Sequence, residues 1–404
     1  MQAEALAAGR REGWGLGVER HMSGLVFAAA LALLAPPRAL AAVNLETTLK
    51  ISAEERYDDD ALLARDLGVA MIPGLTGQLM TKVSPQFGVS AKGRTLKAEG
   101  WYAADLVARH SSGTLSLDHR AGLDVAQRFS DRLRLDADLR FWRVSDPTSL
   151  PRTGVAPTLS PVLYGVADLW GGYRLAERWT VRLGYRFEGA RIYDASRDLG
   201  TVHAPAVEAW YRATGRLELG ADGRAQFFQL NRERSRAQTV GLVGRYRIDR
   251  ETQITARAGP ILFSRGTGDS SLMPRALVEL SRERDGLMFA ASVGHDLIGA
   301  SGFNAAVWAD WASLMAEWRP RRNLGVFGAV NLYRNGAAPD VGWLSGPHVS
   351  TGYGMGGGLD WTFARGLTAQ LRFDRYSQLD RAVAAYGMRL ERNILAVRLV
   401  WTAW

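Results

Sequence analysis

The sequence predicts an all-β fold: a transmembrane, antiparallel up-and-down β-barrel of about 18 strands, with 16 the alternative count. Three observations carry this. Two-residue alternation runs along nearly the whole chain, tight turns alternate with longer connectors, and aromatic residues recur beside the tight turns.

The alternation is clearest in "WTVRLGYRFEG". Trp179, Val181, Leu183, Tyr185 and Phe187 form one file, and Thr180, Arg182, Gly184, Arg186 and Glu188 the other. "TLSLDHRAGLDVAQ", "RLRLDADLRF", "TQITARAG" and "GLTAQLRFDRY" repeat it. A soluble sandwich hides its apolar face against a second sheet. Here the apolar files persist over ten or more residues while the opposite files are dense in Arg and Asp/Glu, which fits lipid outside and a wet lumen inside.

Tight turns are expected near Lys92–Arg94, Phe129–Arg132, Ala176–Arg178, Thr214–Arg216, Asp249–Glu251, Arg284–Gly286, Pro320–Asn323 and Ala364–Gly366. Between them lie connectors that are mostly longer and rich in Gly, Pro, Ser and Asp, residues 58–77 and 144–161 among them. Turns on the periplasmic rim and loops on the outer rim produce this sorting, and an even strand count returns both termini to the periplasm. Phe129, Tyr173, Tyr246, Trp318 and Phe363 lie beside the turns, as an interfacial aromatic girdle requires. The chain ends "NILAVRLVWTAW", which resembles the terminal strand that barrels offer to their assembly machinery. With Arg398 inward, however, Trp404 falls on the lumen side, out of the usual register.

At the other end, "RHMSGLVFAAALALLAPPRALAA" has a basic start, an apolar run from Leu25 to Ala35 and a small-residue site closing at Ala41. That pattern predicts a secretory signal peptide; the run falls short of the about 20 residues a spanning helix needs. Two parts follow: an extension and signal peptide over 1–41, with Met22 a candidate start, and a barrel over 42–404 in the outer membrane. Absence of cysteine excludes disulfides and thiolate chemistry. The net charge of +9 comes mostly from arginines scattered among carboxylates, with no basic run, so no nucleic-acid partner is expected.

One stretch, "STGYGMGGGLDW", contains a G-x-G-x-x-G match at Gly352–Gly357. Dinucleotide loops need a helix opening at those glycines. Read by twos, Thr351, Tyr353, Met355, Leu359 and Trp361 form an apolar file, and Gly352, Gly354, Gly356 and Gly358 a small one. A strand with glycines toward the lumen, where neighbouring side chains can come close, is the expectation.

Near the start of the barrel, "ERYDDD" and "SPQFGVSAKG" present Tyr57, Asp58, Asp59 and Asp60, then Pro85, Ser90 and Gly93. These resemble the opening of outer-membrane barrels associated with exopolysaccharide and exosortase systems, similar to those of myxobacterial polysaccharide secretion. The resemblance implies an exit pore for a secreted anionic or neutral polysaccharide, working beside a periplasmic polysaccharide export protein. It carries no defined site residues. A general diffusion or small-solute uptake porin is the alternative, and an outer-membrane enzyme a remote one.

Candidate lumen residues come from the strand phase. Trp101, Arg120, Arg134, Arg140, Trp142, Arg182, Arg186, Trp210, Arg257, Trp308 and Arg372 are the candidate polymer contacts, with Lys82 beside them. Asp118, Asp136, Asp138, Glu218, Asp222, Asp310 and Asp374 supply the opposing charge. Cross-strand ion pairs that stiffen the wall are one use for such a set, and a hydrogen-bonding track for sugars, with tryptophans to stack on, is the other. The histidines show no metal-ligand spacing and no serine partner, so no catalytic residue, cofactor or metal is expected.

Overall fold

The structure, a computed structural model, describes residues 43–59, 77–145, 162–192, 200–230, 233–266, 270–299, 306–337, 349–380 and 388–403. The expected signal peptide, Asp60, the centres of loops 58–77 and 144–161, and Trp404 lie outside the described residues.

Eighteen strands of 12 to 16 residues make up the fold. The first six are β1 (Asn44–Asp58), β2 (Gln78–Lys92), β3 (Leu96–Arg109), β4 (Thr114–Arg128), β5 (Leu133–Val144) and β6 (Val162–Arg174). Next come β7 (Trp179–Ile192), β8 (Gly200–Arg212), β9 (Leu217–Leu230), β10 (Glu233–Arg247), β11 (Thr252–Arg265) and β12 (Ser270–Arg284). The last six are β13 (Leu287–Gly299), β14 (Ala306–Arg321), β15 (Leu324–Ala337), β16 (Val349–Ala364), β17 (Leu367–Asp380) and β18 (Met388–Ala403). Each pairs antiparallel with its sequence neighbours, and β1 pairs with β18 from Leu49↔Ala403 to Asp58↔Ile394. No sheet edge is left at the seam, which is the condition for spanning hydrocarbon with strands.

All eight tight turns fall where expected, and local chemistry explains them. Ser130 Oγ accepts from the Arg132 and Leu133 amides at 3.2 and 3.1 Å, and Thr214 Oγ1 from those of Arg216 and Leu217 at 3.1 and 2.9 Å. Asp249 does the same with Glu251 and Thr252 at 2.8 and 2.6 Å. Desolvation alone would push its carboxyl up, but the Thr252 hydroxyl and these two amides outweigh it and hold it below the usual carboxylate range. Asp285 and Gly286 turn β12 into β13 with φ of 49° and 78°, the left-handed pair that a two-residue hairpin demands.

The outward files are bare and greasy. Leu183, Val240, Leu242 and Leu272 are 64–73% exposed, a surface that water would not tolerate and lipid requires. Phe129, Tyr173, Tyr246, Trp318 and Phe363 are all exposed along the turn rim. A closed barrel with this belt belongs in the outer membrane, and that is where the protein resides.

The wall departs from regularity at β13 and β14. Pairing between β12 and β13 stops at Ala276↔His295, short of the ends of both strands. Beyond that point Leu297 and Trp308, on files that lower down carry exposed Val293 and Leu314, are buried with Phe228, Ile261 and Phe263. Those three belong to inward files of β9 and β11, whose neighbours Phe227 and Leu262 are exposed. The loop-side ends of β13 and β14 are therefore tucked into the barrel mouth.

Candidate functional site: the charged lumen

The charged residues of the alternating files meet one another across the strands. Arg120 grips Asp105 through Nε and Nη2 at 2.6 and 2.9 Å, and Lys82 Nζ lies 3.0 Å from the same carboxylate. Arg372 holds Asp374 at 2.6 and 3.0 Å, and Arg134 holds Asp136 at 2.6 Å. Arg140 bridges Asp124 and Asp138 at 2.8 and 3.2 Å. It does so where Glu99, Asp124, Asp138 and Asp168 stand directly opposite one another on β3 to β6, a row whose like charges would otherwise repel. Arg186 makes longer contacts, 4.0 Å to Asp168 and 3.9 Å to Glu188. Asp118 instead accepts from the Ser145 amide at 2.8 Å.

A second group forms a buried chain of charge. Arg182 and Arg257 reach Glu208 at 3.2 and 2.7 Å; Arg275 reaches Asp222 at 2.6 Å and Asp296 at 3.4 Å; Arg224 reaches Asp296 at 2.8 Å. Glu208, Asp222, Arg275 and Asp296 are all buried. Arg224 on β9 and Asp296 on β13 meet only because the tip of β13 turns inward. Sequence reasoning missed Asp105, Arg224, Arg275 and Asp296. Arg275 was readable, since it alternates with Leu272, Ala276 and Val278; Asp296, in the apolar "VGHDLIG", was not.

The tryptophans are committed to the wall. Trp101 packs over Gly122, its cross-strand partner, where any Cβ would collide with the indole. Trp142 leans on Tyr164, ring centres 5.4 Å apart. Trp210 donates to Glu208 at 3.0 Å and carries the Arg245 guanidinium 4.6 Å above its ring. Trp308 and Asp310 share the even file of β14 with exposed Leu314 and Trp318 and both meet His295, while the inward turn of the strand end buries Trp308 against Phe228, Ile261 and Phe263 in the mouth. Both files of "AVWADWASLMAEW" are apolar, so the alternation there carries no phase; Ser313, paired with Ser292 at 2.6 Å, and Glu317 mark the true inward file.

The glycine strip of β16 behaves as expected. Tyr333, Asp374 and Phe327 crowd the places that side chains on Gly352, Gly356 and Gly358 would take. The strip makes room for neighbouring lumen groups.

One hollow of the lumen wall holds 1340 Å³ and is lined by Glu54, Lys82, Arg120, Arg372, Asp374 and Arg398, among others. Smaller spaces of 340 and 480 Å³ meet at Asp168 and Trp170. Since Asp296 ties the inward tip to Arg224 and Arg275, Asp296→Ala should loosen the plug and raise single-channel conductance. Arg275 keeps Asp222, and Arg224 is exposed enough for water to replace its lost partner, so assembly should survive. Unchanged conductance would put the tip off the conducting path.

No protein-family model and no curated protein matches the chain. Among solved structures it is similar to Pseudomonas aeruginosa OpdL, with 14% identity, a TM-score of 0.44, and 89% of this chain and 99% of that one covered. Pseudomonas aeruginosa OccK2 (OpdF) in complex with glucuronate aligns at 12% identity and a TM-score of 0.46, over 89% and 99%. OpdK of the same organism, with vanillate, aligns at 13% and 0.44, over 89% and 99%. Similarity this distant assigns no substrate to the present chain, whose lumen must be read from its own residues.

Proposed function

We propose that the protein is a passive outer-membrane channel for small polar solutes, carboxylates favoured, rather than the polysaccharide exit implied by the resemblance at Tyr57–Asp60 and Pro85–Gly93. One observation carries the reading: hollows of pocket size along the lumen wall, edged by charged side chains. Spaces of 1340, 340 and 480 Å³ among the described residues, below a mouth narrowed by its own wall, are of the order that small ligands fill, a few hundred to about 1,000 Å³. Lys82, Arg120, Arg372 and Arg398 line this space. Guanidinium forks of this kind suit carboxylates. Delivery by the barrel assembly machinery belongs to this reading; a polysaccharide export protein does not.

In a planar bilayer under a salt gradient, the double variant Lys82→Gln/Arg398→Gln should shift the reversal potential toward cations. Asp105 keeps Arg120 in that variant, so no buried carboxylate is orphaned. An unmoved potential would take the basic strip off the path. Loss of surface polysaccharide in a deletion strain, with small-solute uptake intact, would return the case to export.

A further inference from the structure

Where β13 and β14 turn inward, the outer face of the barrel is left concave, and a depression of 880 Å³ opens toward the lipid across β12 to β17. Two cross-strand rows of outward residues floor it. The row nearer the loops carries His295, Asp310, Arg334 and Thr351, in direct register on β13 to β16. Below it Val278, Val293, Ala312, Leu332 and Tyr353 make an apolar bed. The wall is thin here, because Trp311 packs over Gly294 on the lumen side.

Position and charge say what fills it. His295 stands eight residues beyond Leu287 at the turn rim, about 20 Å up a tilted strand, against an apolar band about 25 Å tall. The polar row thus lies at the outer boundary of the hydrocarbon, with the apolar bed just inside it. Asp310 is bound to His295 at 2.6 Å, and the His295 ring stacks on Trp308, centres 5.3 Å apart at 11°. Arg334 is exposed and has no ion-pair partner among the described residues; Thr351 offers a hydroxyl directly across from it. A permanent cation with a hydroxyl neighbour, at headgroup depth above a greasy hollow, matches an acylated molecule with an anionic head.

We propose that this concavity binds a phosphorylated outer-leaflet lipid, its phosphate on Arg334 and Thr351 and one acyl chain lying along Val293, Ala312 and Leu332. The site is separate from the lumen and does not depend on which solute the channel passes.

The test is native mass spectrometry of the delipidated barrel titrated with lipid A, with dephosphorylated lipid A and phosphatidylcholine as comparators. Arg334→Ala should weaken lipid A retention by about tenfold, the scale of one lost charge-assisted contact. Leu332→Trp, which fills the hollow from an exposed position, should weaken it as much. Arg236→Ala, an outward arginine on distant β10, should leave it unchanged, and dephosphorylated lipid A should bind like the Arg334 variant. Equal loss in all three variants would reduce the effect to general surface charge and overturn the site, as would retention unaffected by Arg334→Ala. A change of oligomeric state with Leu332→Trp, at constant lipid retention, would give the hollow to a second copy of the chain instead.

Discussion

Asp58→Ala should destabilise the barrel by about 3–5 kcal/mol, read as a lowered urea midpoint or a lower temperature at which the folded band is lost in gel electrophoresis. Asp58 closes the seam between the first and last strands. Arg392 of β18 binds it through both Nε and Nη2, the Nε at 2.9 Å from Oδ1, and Arg56 adds a contact at 2.8 Å. Both Asp58 and Arg392 are buried, so deleting the carboxylate removes the two-pronged contact of a desolvated guanidinium, and breaking a buried pair by removing one partner is costly. Asp59 reinforces the joint by accepting from the Asn393 side chain at 2.6 Å. Asp58→Asn, which keeps the shape and some hydrogen bonding, should fall between wild type and Ala. Arg134→Ala, from an exposed lumen pair, should leave the midpoint unmoved. Should Asp58→Ala prove as harmless as Arg134→Ala, the seam would be held by backbone pairing alone.

That aspartate also shows how far the sequence could be read. "ERYDDD" stands out as a motif, and its resemblance points toward polymer export. What its second acid does becomes visible only when residue 58 meets residue 392, a pairing that no local pattern announces. Strand phase was legible wherever one file is charged and the other greasy, as in β7, because period-two alternation is a local property of the backbone. It is ambiguous in β14, where both files are largely apolar and the strand end turns into the mouth. The network through Glu208, Asp222, Arg275 and Asp296 was half legible for the same reason. Its members on regular strands follow the alternation, but Asp296 joins them only through the inward turn of β13, a tertiary event. The glycines of β16 were readable as a lumen strip from their spacing alone, while the aromatic rings that cover other lumen glycines, such as Trp101 on Gly122, depend on register.

Leu183→Arg should cost about 2–4 kcal/mol and cut the yield of folded barrel, whereas Arg182→Leu, one residue away, should assemble normally. Leu183 is 64% exposed on the outer file, four residues beyond exposed Trp179 at the turn end of β7, so a charge there sits about 10 Å inside the band, where a cation is most expensive. Arg182 points the other way. Its guanidinium lies 4.6 Å from the Trp170 ring and its Nη1 is 3.2 Å from Glu208. Removing it orphans nothing, because Glu208 retains Arg257 at 2.7 Å and Trp210 at 3.0 Å. The losses are the contact with Trp170, one of the three contacts to Glu208 and one lumen charge, which should appear in ion selectivity rather than in stability. Refolding into lipid vesicles, followed by a denaturant titration of each variant, separates the two outcomes. Equal damage from both substitutions, or greater damage from Arg182→Leu, would invert the wall, putting the leucine file inside and the arginines against lipid, and no lumen assignment made from strand phase would survive it.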